Sequence, residues 1–181
     1  MRNSKKYEDV ALRQFVAEKF GGSPYFPKGY SLKKQTDNFV WISYETTYIN
    51  LGIFVYRIPY VDSTSVQLEG LMAATNNIMQ ENVPGMVDNS YMTISSEILP
   101  GLNVMKYKNR NFMEMRGLWE VHNDFMGGPF VSYTTVNDAT NEVFTIDCYV
   151  FSPKYGKRNF LRPLEHLVYL ISFPQSVEQQ K

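Results

Sequence analysis

Three side chains in the second half of the chain, Glu120, His122 and Asp124, have the types needed for acid–base chemistry. On an extended strand, residues two apart project from the same face, so Glu120 and His122 would lie roughly 7 Å apart. A carboxylate near an imidazole raises its pKa and orients it as a general base. A hydrolase also needs a nucleophile, and Ser95 or Ser132 qualifies only if the fold brings it to His122. We therefore favour the alternative, an exposed strand face whose charges pair with a neighbouring strand.

A transition-metal site is a weaker interpretation of the same residues. The chain has two histidines, His122 and His166, and a single cysteine, Cys148. Asp124 would add an oxygen ligand, but a transition metal usually has three or four protein ligands at a recognisable spacing. We therefore predict no metal ligand and no cofactor, and we place His166 at the boundary of a helix face. Cys148 lies on an apolar strand face, which predicts a buried and unreactive thiol.

The residues after Asp124 form a glycine-rich segment, Met126-Gly127-Gly128-Pro129. Two glycines permit positive φ angles and close backbone approach, and the proline fixes the exit. Exposed N–H groups in such a turn bind anions, but the spacing matches neither the phosphate-binding nor the dinucleotide-binding motif. We predict a tight turn between two strands. The candidate binding residues at this strand end are His122, Asn123, Asp124, Phe125, Met126, Gly127 and Gly128.

Side-chain alternation with a period of two over residues 113–121 predicts the strand that leads into this turn. Its core face is expected to carry Met113, Met115, Trp119 and Val121. Its opposite face is expected to carry Glu114, Arg116, Glu120 and His122. A hairpin connection at 137–141 joins the next two predicted strands, 130–136 and 142–151. In the last of these, one face carries Phe144, Ile146, Cys148 and Val150.

Helical spacing of apolar residues predicts three helices. The first spans 7–20 and the second 64–81, where Thr64 and Gln67 fit a capping box. The apolar stripe of the second is Leu68, Leu71, Met72, Thr75, Ile78 and Met79. The third helix starts either at Ser152 or near Phe160, and we prefer the later start because Pro163 is costly in a helix interior. Its apolar side would be Leu164, Leu167, Val168 and Ile171, and residues 174–181 are expected to fray.

Two short apolar runs, 39–42 and 52–56, are typical of strands covered on both faces. Short turns between successive strands indicate a mainly antiparallel sheet, with about three helices packed on one of its faces. The fold class is therefore α+β, and residues 1–181 are expected to form a single domain.

Composition excludes several classes of function. Apolar residues make up 44% of the chain and aromatic residues 15%, which excludes a disordered protein. Lys plus Arg and Asp plus Glu both number 18, so no net field draws the chain to nucleic acid or to an anionic membrane. The one basic cluster, which a solvated helix start explains, is Lys154, Lys157, Arg158 and Arg162. No apolar run reaches the roughly 18 residues that span a bilayer, and the N-terminus lacks the apolar region of a signal peptide.

The stretch at 117–130, which reads GLWEVHNDFMGGPF, resembles an uncharacterised Bacteroidetes family, domain of unknown function 4837. Similar segments at 38–42, 83–85, 90–92, 149–153 and 157–158 extend the resemblance over most of the chain from about Tyr30 to Phe173. The resemblance implies a cell-envelope lipoprotein, with a longer parent chain of which this would be the C-terminal part, because no lipobox cysteine or leader is present. Membrane attachment would come only from that anchor. The resemblance implies no catalytic residue, since none is established for the family.

Three functional hypotheses follow. The first, which we prefer because no catalytic set is complete, is a non-enzymatic envelope module that binds a protein partner or has a structural role. The partner would be the N-terminal half of the parent or a second copy, covering the apolar strand faces. The second is a small-ligand site at residues 119–129, where Trp119 or Trp41 would stack on a glycan. The third is a hydrolase that uses His122 with Glu120 or Asp124.

Overall fold

The structure is a computed structural model that describes residues 4–173, so the predicted frayed tail lies outside the described residues. Its helices are a single turn, α1 (Ser4–Tyr7), followed by α2 (Val10–Phe20), α3 (Leu68–Asn82) and α4 (Arg158–Tyr169). Its strands are β1 (Ser31–Gln35), β2 (Phe39–Glu45), β3 (Asn50–Pro59), β4 (Tyr91–Ile94), β5 (Gly101–Tyr107), β6 (Arg110–His122), β7 (Gly127–Asn137) and β8 (Glu142–Phe151). A 3₁₀ turn at Ser63–Val66 precedes α3.

In the described part of the chain, eight strands form one antiparallel sheet in the order β1-β2-β3-β8-β7-β6-β4, and β5 also pairs with β6. β6 has 13 residues, and its first half pairs with β5 while its last residues pair with β4. This arrangement decides what lies beside the candidate site, because β6 leads directly into it. The predicted α+β class, with an antiparallel sheet and three main helices, is confirmed.

The helices cover both faces of the sheet, so our prediction that they share one face is wrong. α2 and α4 pack on the face that carries Ile53 and Val55 of β3, named here the two-helix face. α3 packs on the face that carries Phe54 and Tyr56, named the one-helix face. Successive strand residues point to opposite faces, and all four of these are buried, so each face needs a cover. We expected that cover from a second polypeptide, but the chain's own helices supply it.

The first two predicted helices form, with differences at their starts. α2 begins at Val10, where the Asp9 side chain accepts the Leu12 N–H at 2.9 Å. α3 begins at Leu68, later than predicted, and its predicted stripe faces the sheet, with four members buried: Leu71, Thr75, Ile78 and Met79. The capping box predicted at Thr64 and Gln67 is wrong, because Asp62 and Ser65 form it around the preceding 3₁₀ turn. Asp62, just before the 3₁₀ turn, supplies its carboxylate as a hydrogen-bond acceptor two residues earlier than Thr64 would.

The last helix confirms the later start that Pro163 indicated. α4 begins at Arg158, so the proline lies in the second turn rather than deep in a helix from Ser152. Its apolar side is buried as predicted at Leu164, Leu167 and Val168, and Ile171 is buried as well but lies just after the helix. Cys148 is buried beneath α4, and burial raises the pKa of its thiol, which fits the predicted unreactive role.

Candidate functional site

The β6–β7 hairpin turns at residues 123–126, named here the hairpin tip. Asn123 has a φ of 63°, a left-handed conformation that asparagine adopts more readily than most residues. The Val121 N–H donates to the Met126 carbonyl at 2.9 Å and closes the turn. The turn that we predicted at Gly127 and Gly128 is therefore wrong, since both glycines belong to β7 and pair with β6.

These glycines permit close packing rather than positive φ. A Cβ atom at Gly128 would overlap the Val150 carbonyl oxygen, and one at Gly127 would lie 2.9 Å from the Trp119 carbonyl oxygen. The Trp119 indole donates its Nε1–H to the same Val150 carbonyl at 3.3 Å. The glycine pair thus lets the backbone close over a buried tryptophan, and it forms no exposed anion-binding turn.

His122 lies at the exposed end of β6, as the strand alternation predicted, and its ring stacks on Tyr91 of β4 with centroids 4.9 Å apart. Neither proposed carboxylate partner hydrogen-bonds to it. Asp124 accepts the N–H of the next residue at 2.7 Å, and Glu120 accepts the Ser96 N–H at 3.5 Å. Among the described residues, no side chain fixes the imidazole as a general base.

The proposed nucleophiles are also out of reach of His122. Ser132 pairs with Met115 and is buried on the one-helix face, whereas His122 is on the opposite side of β6. The Ser95 N–H donates to the Leu118 carbonyl at 2.8 Å. That position is four residues along β6 from His122, or roughly 13 Å at strand spacing. The hydrolase hypothesis needs Ser95 or Ser132 close to His122, and in the described structure neither serine is.

The hairpin tip instead presents an apolar side chain to solvent. Phe125 has a relative exposure of 106%, and Met86 in the adjacent loop, residues 83–90, has 84%. The Asn123 side chain donates to the Asn89 carbonyl at 3.4 Å and ties the two loops together. Val87 in the same loop is also exposed. Together the two loops form an apolar surface at one end of the sheet.

A cavity of about 190 Å³ opens between these two loops on the one-helix face, and it is named here the aromatic pocket. Its main lining side chains are Trp41, Met86, Met92, Trp119, Met126 and Tyr149. Strands β2, β6 and β8 supply the aromatic rings, while the loop after α3 and the hairpin tip supply two of the methionines. The candidate segment therefore contributes one wall of a pocket whose other walls come from distant parts of the chain.

The polar atoms at the floor of the aromatic pocket are already paired. Trp41 donates its Nε1–H to the Tyr149 hydroxyl at 3.0 Å. That hydroxyl donates to Asn50 Oδ1 at 3.0 Å, and burial raises the pKa of Tyr149. Trp119 donates away from the pocket, to a strand carbonyl. The pocket consequently offers an incoming group apolar contact and few free hydrogen-bonding partners.

An open groove of about 440 Å³ lies along the same hairpin, with Glu120, Asp124 and Lys157 among its lining residues. The groove places a cleft at residues 119–129, where we predicted a ligand site. Trp119 is only 3% exposed, however, so its ring face is not available to stack on a sugar. Of the residues we predicted for binding, this groove is lined by Asp124, Phe125, Met126, Gly127 and Gly128. Met126 also lines the aromatic pocket, and Phe125 is exposed beside it.

Three pocket residues, Asn50, Met86 and Tyr149, were missed by the sequence prediction. The sequence proposes Trp41 as an aromatic that stacks on a glycan, but nothing in its neighbours indicates that β2 and β6 flank one cavity. A usable signal existed for Met86, because an apolar residue that follows Pro84-Gly85 in a loop has no strand or helix to bury it. For Asn50 and Tyr149 the cavity depends on strand register, which the sequence does not specify.

A buried polar cluster lies under α3, away from the hairpin. Asp147 is 1% exposed, and neither of its carboxylate oxygens has a hydrogen-bond partner in the described structure. Burial raises the pKa of Asp147 to about 7. The nearby hydroxyls of Ser132 and Tyr56 lower the pKa and so oppose part of this shift. The Tyr56 and Thr75 hydroxyls pair at 2.9 Å and link the cluster to α3. The sequence analysis did not single out Asp147.

Neither a metal centre nor a membrane span is formed by residues 4–173. No group of three His, Cys, Asp or Glu side chains in that range is arranged to hold a metal ion. None of its helices is long and apolar enough to cross a bilayer.

The fold and the hairpin define an α+β domain in which one antiparallel sheet lies between two helical layers and carries an apolar pocket at one end. The family described as a domain of unknown function (DUF4837) matches residues 9–169, and the chain belongs to that family. No curated protein matches the chain.

Proposed function

We propose that this protein is a non-enzymatic binding module of the cell envelope that holds an extended protein segment at the β6–β7 hairpin. One apolar side chain of that segment enters the aromatic pocket, and Phe125 packs against the segment from outside. The observation that carries the proposal is the fully exposed Phe125 beside an apolar cavity. An exposed aromatic next to a pocket is typical of binding surfaces and contributes little to folding. The envelope location rests on the family resemblance.

The chemistry of the pocket favours an apolar side chain over a sugar. A sugar would bury hydroxyl groups that need partners, and the Trp41, Tyr149 and Asn50 polar atoms are engaged with one another. A buried hydroxyl without a partner costs about 1–3 kcal/mol. An aromatic or long aliphatic side chain carries no such cost, and Met86 and Met126 can adjust their shape around it.

Selection of displayed random peptides against the protein tests this proposal. The selected peptides are expected to share one aromatic or long aliphatic residue. Phe125→Ser and Met86→Ser are expected to weaken their binding by about tenfold or more, as for a buried apolar anchor. Val61→Ser is the matched control, because Val61 is 81% exposed in a loop outside the site. All three variants should unfold at the same denaturant concentration as the wild type.

Two results would contradict the proposal. One is failure to select any peptide, and the other is selection of peptides that bind the three variants equally well. A parallel glycan array distinguishes the alternative ligand class. Glycan binding that disappears in Phe125→Ser, without peptide binding, would replace the proposed partner with a carbohydrate.

A further inference from the structure

The buried polar cluster under α3 brings together more side-chain oxygens than the core of a sheet usually holds. Serine, threonine and aspartate are mostly found at protein surfaces, so a group of them at the centre of a sheet face needs a physical reason. One member comes from α3, and the others come from β3, β7 and β8. The members, each at most 2% exposed and named here the oxygen cluster, are Tyr56, Thr75, Ser132, Thr134, Thr145 and Asp147.

Strand pairing makes the oxygen cluster contiguous, because β8 lies between β3 and β7. Asp147 of β8 pairs with Ser132 of β7. Two residues earlier in β8, Thr145 pairs with Thr134 of β7 on one side and with Tyr56 of β3 on the other. Side chains that are directly opposite in an antiparallel pair have Cβ atoms about 4.5–5.5 Å apart. Their oxygens therefore converge on one small region beneath α3.

The hydroxyls of the cluster pair with one another, whereas the carboxylate has no partner. The Tyr56 and Thr75 hydroxyls are 2.9 Å apart, and so are those of Thr134 and Thr145. A hydroxyl oxygen has two lone pairs, so each pair retains oxygen ligands for a further group. Both Asp147 oxygens lack a hydrogen-bond partner in the described structure, and no ion pair among the described residues includes Asp147.

We infer that the oxygen cluster binds a dehydrated alkali cation, which holds α3 to the sheet. The Asp147 carboxylate supplies the opposite charge, and the hydroxyl oxygens of Ser132 and Tyr56 beside it supply further ligands. A set made only of oxygens suits a hard cation and lacks the nitrogen and sulfur ligands that transition metals prefer. A buried charge needs a counter-charge, and one carboxylate neutralises one positive charge. The charge of the site therefore favours a monovalent cation over a divalent one.

A proton competes with the cation for the same carboxylate, which separates cation binding from a general effect of salt. Asp147 has a pKa of about 7, so it is mostly protonated at pH 5 and mostly ionised at pH 9. Tyr56 is the other titratable member of the cluster, and burial raises its pKa well above this range. Thr75, which faces the cluster from α3, does not titrate. The cation should therefore stabilise the fold at pH 9 and not at pH 5.

Denaturant unfolding in sodium, potassium and choline chloride at equal ionic strength tests the inference, because choline is too large for the site. At pH 9, and above the dissociation constant, a tenfold rise in sodium or potassium concentration should lower the unfolding equilibrium constant about tenfold. At pH 5 the three salts should give the same unfolding curve. This comparison needs only the wild-type protein, so it does not depend on whether a variant folds.

Two substitutions assign the effect to the cluster. Asp147→Asn removes the charge with little change of shape and should abolish the difference between the alkali salts and choline. Ser132→Ala removes one ligand and should weaken the dependence on alkali concentration. Ser43→Ala is its matched control, because Ser43 is also buried in a strand but donates to Glu45 outside the cluster.

Three results would overturn the inference. They are identical unfolding in all three salts at pH 9, an alkali effect of the same size at pH 5, and an alkali effect that Asp147→Asn retains. The inference is independent of the proposed peptide site, because it depends on the oxygen cluster under α3 and not on the hairpin tip or the aromatic pocket.

Discussion

The two faces of the sheet differ in how completely helices cover them. On the two-helix face, α2 and α4 bury a large apolar cluster between them and the strands. On the one-helix face, α3 covers the centre of the sheet, and the aromatic pocket opens where the chain leaves the helix at Val83. A single helix is shorter than the sheet is wide, so cavities remain beyond its ends. The face with less cover is consequently the one on which the aromatic pocket opens.

The faces also differ in where their charged groups lie. Next to α4 on the two-helix face, Arg116 is bound by Glu114 and Glu165, and the arginine is 39% exposed. On the one-helix face, Asp147 lies at the centre with no hydrogen-bond partner in the described residues. Water can still reach a charge at the rim, but not a carboxylate under a helix. We therefore expect that, near neutral pH, the dependence of stability on pH comes mainly from the one-helix face.

The largest expected effect is a fall in stability as pH rises, caused by Asp147. Its carboxyl pKa is 3.8 when unperturbed and about 7 in the fold. Between those pH values the folded state binds one more proton than the unfolded state, so the stabilisation present below pH 4 is lost as pH rises through 7. The total is about 4 kcal/mol, of which about 3 kcal/mol lies between pH 5 and 9. Denaturant unfolding at a series of pH values measures it.

The control for this prediction is Asp147→Asn, which stays neutral at every pH. As pH rises from 5 to 9, the free energy of unfolding of Asp147→Asn should increase relative to that of the wild type. Tyr56 also affects the Asp147 pKa, and burial raises the pKa of Tyr56 well above this range. Parallel pH profiles in the two proteins would show that Asp147 does not titrate in this window.

A somewhat smaller loss is expected from crowding the floor of the aromatic pocket. A methyl group at Gly52 of β3 would overlap the Tyr149 ring. That ring cannot move away easily, because it is hydrogen-bonded to Trp41 and Asn50 and lies edge-to-face with Trp119. Gly52→Ala should therefore lower the unfolding free energy by about 3 kcal/mol and change tryptophan fluorescence.

The matched control for Gly52→Ala is Gly101→Ala at the edge of the sheet. A Cβ at Gly101 meets nothing within 4 Å, and its φ is not in the left-handed region. Its stability should change by no more than about 0.5 kcal/mol. Equal losses in both variants would mean that general β-strand effects of alanine, and not the Tyr149 ring, cause the change.

Most strands and helices were predictable because each has its own apolar period. The alternation over 113–121 correctly placed Met115 and Trp119 in the core, and the Pro163 argument selected the later start for α4. The cover on the two faces was not predictable in the same way. An apolar run such as the one around Phe54 indicates that both faces are buried, but not which part of the chain buries them.

The site was less predictable because its parts meet only through strand register. The sequence indicated Phe125 and Met126, but Tyr149 comes to the same place because β3 brings β2 and β8 together. Asp147 had a readable signal that we did not use: Val143, Tyr149 and Phe151 share its face of β8 and are apolar, which indicates that this face is buried. The glycine pair was misassigned because a glycine inside a strand can also mark a close approach of another backbone.

The smallest predicted effect lies on the two-helix face, at Arg116. Its guanidinium binds Glu114 through Nε and Nη2 at 2.8 and 2.9 Å and binds Glu165 of α4 through Nη1. Arg116→Met keeps an unbranched apolar stem but leaves two carboxylates without their cation. We expect a loss of about 2 kcal/mol at pH 7, less than for a fully buried pair because the arginine is partly solvated.

Adding Glu165→Gln to Arg116→Met removes one of the two unpaired charges and should recover part of the stability at pH 7. A deficit that Glu165→Gln does not reduce would assign the loss to packing of the Arg116 stem. In that case the charges on the two-helix face would contribute little, and Asp147 would be the dominant electrostatic difference between the faces.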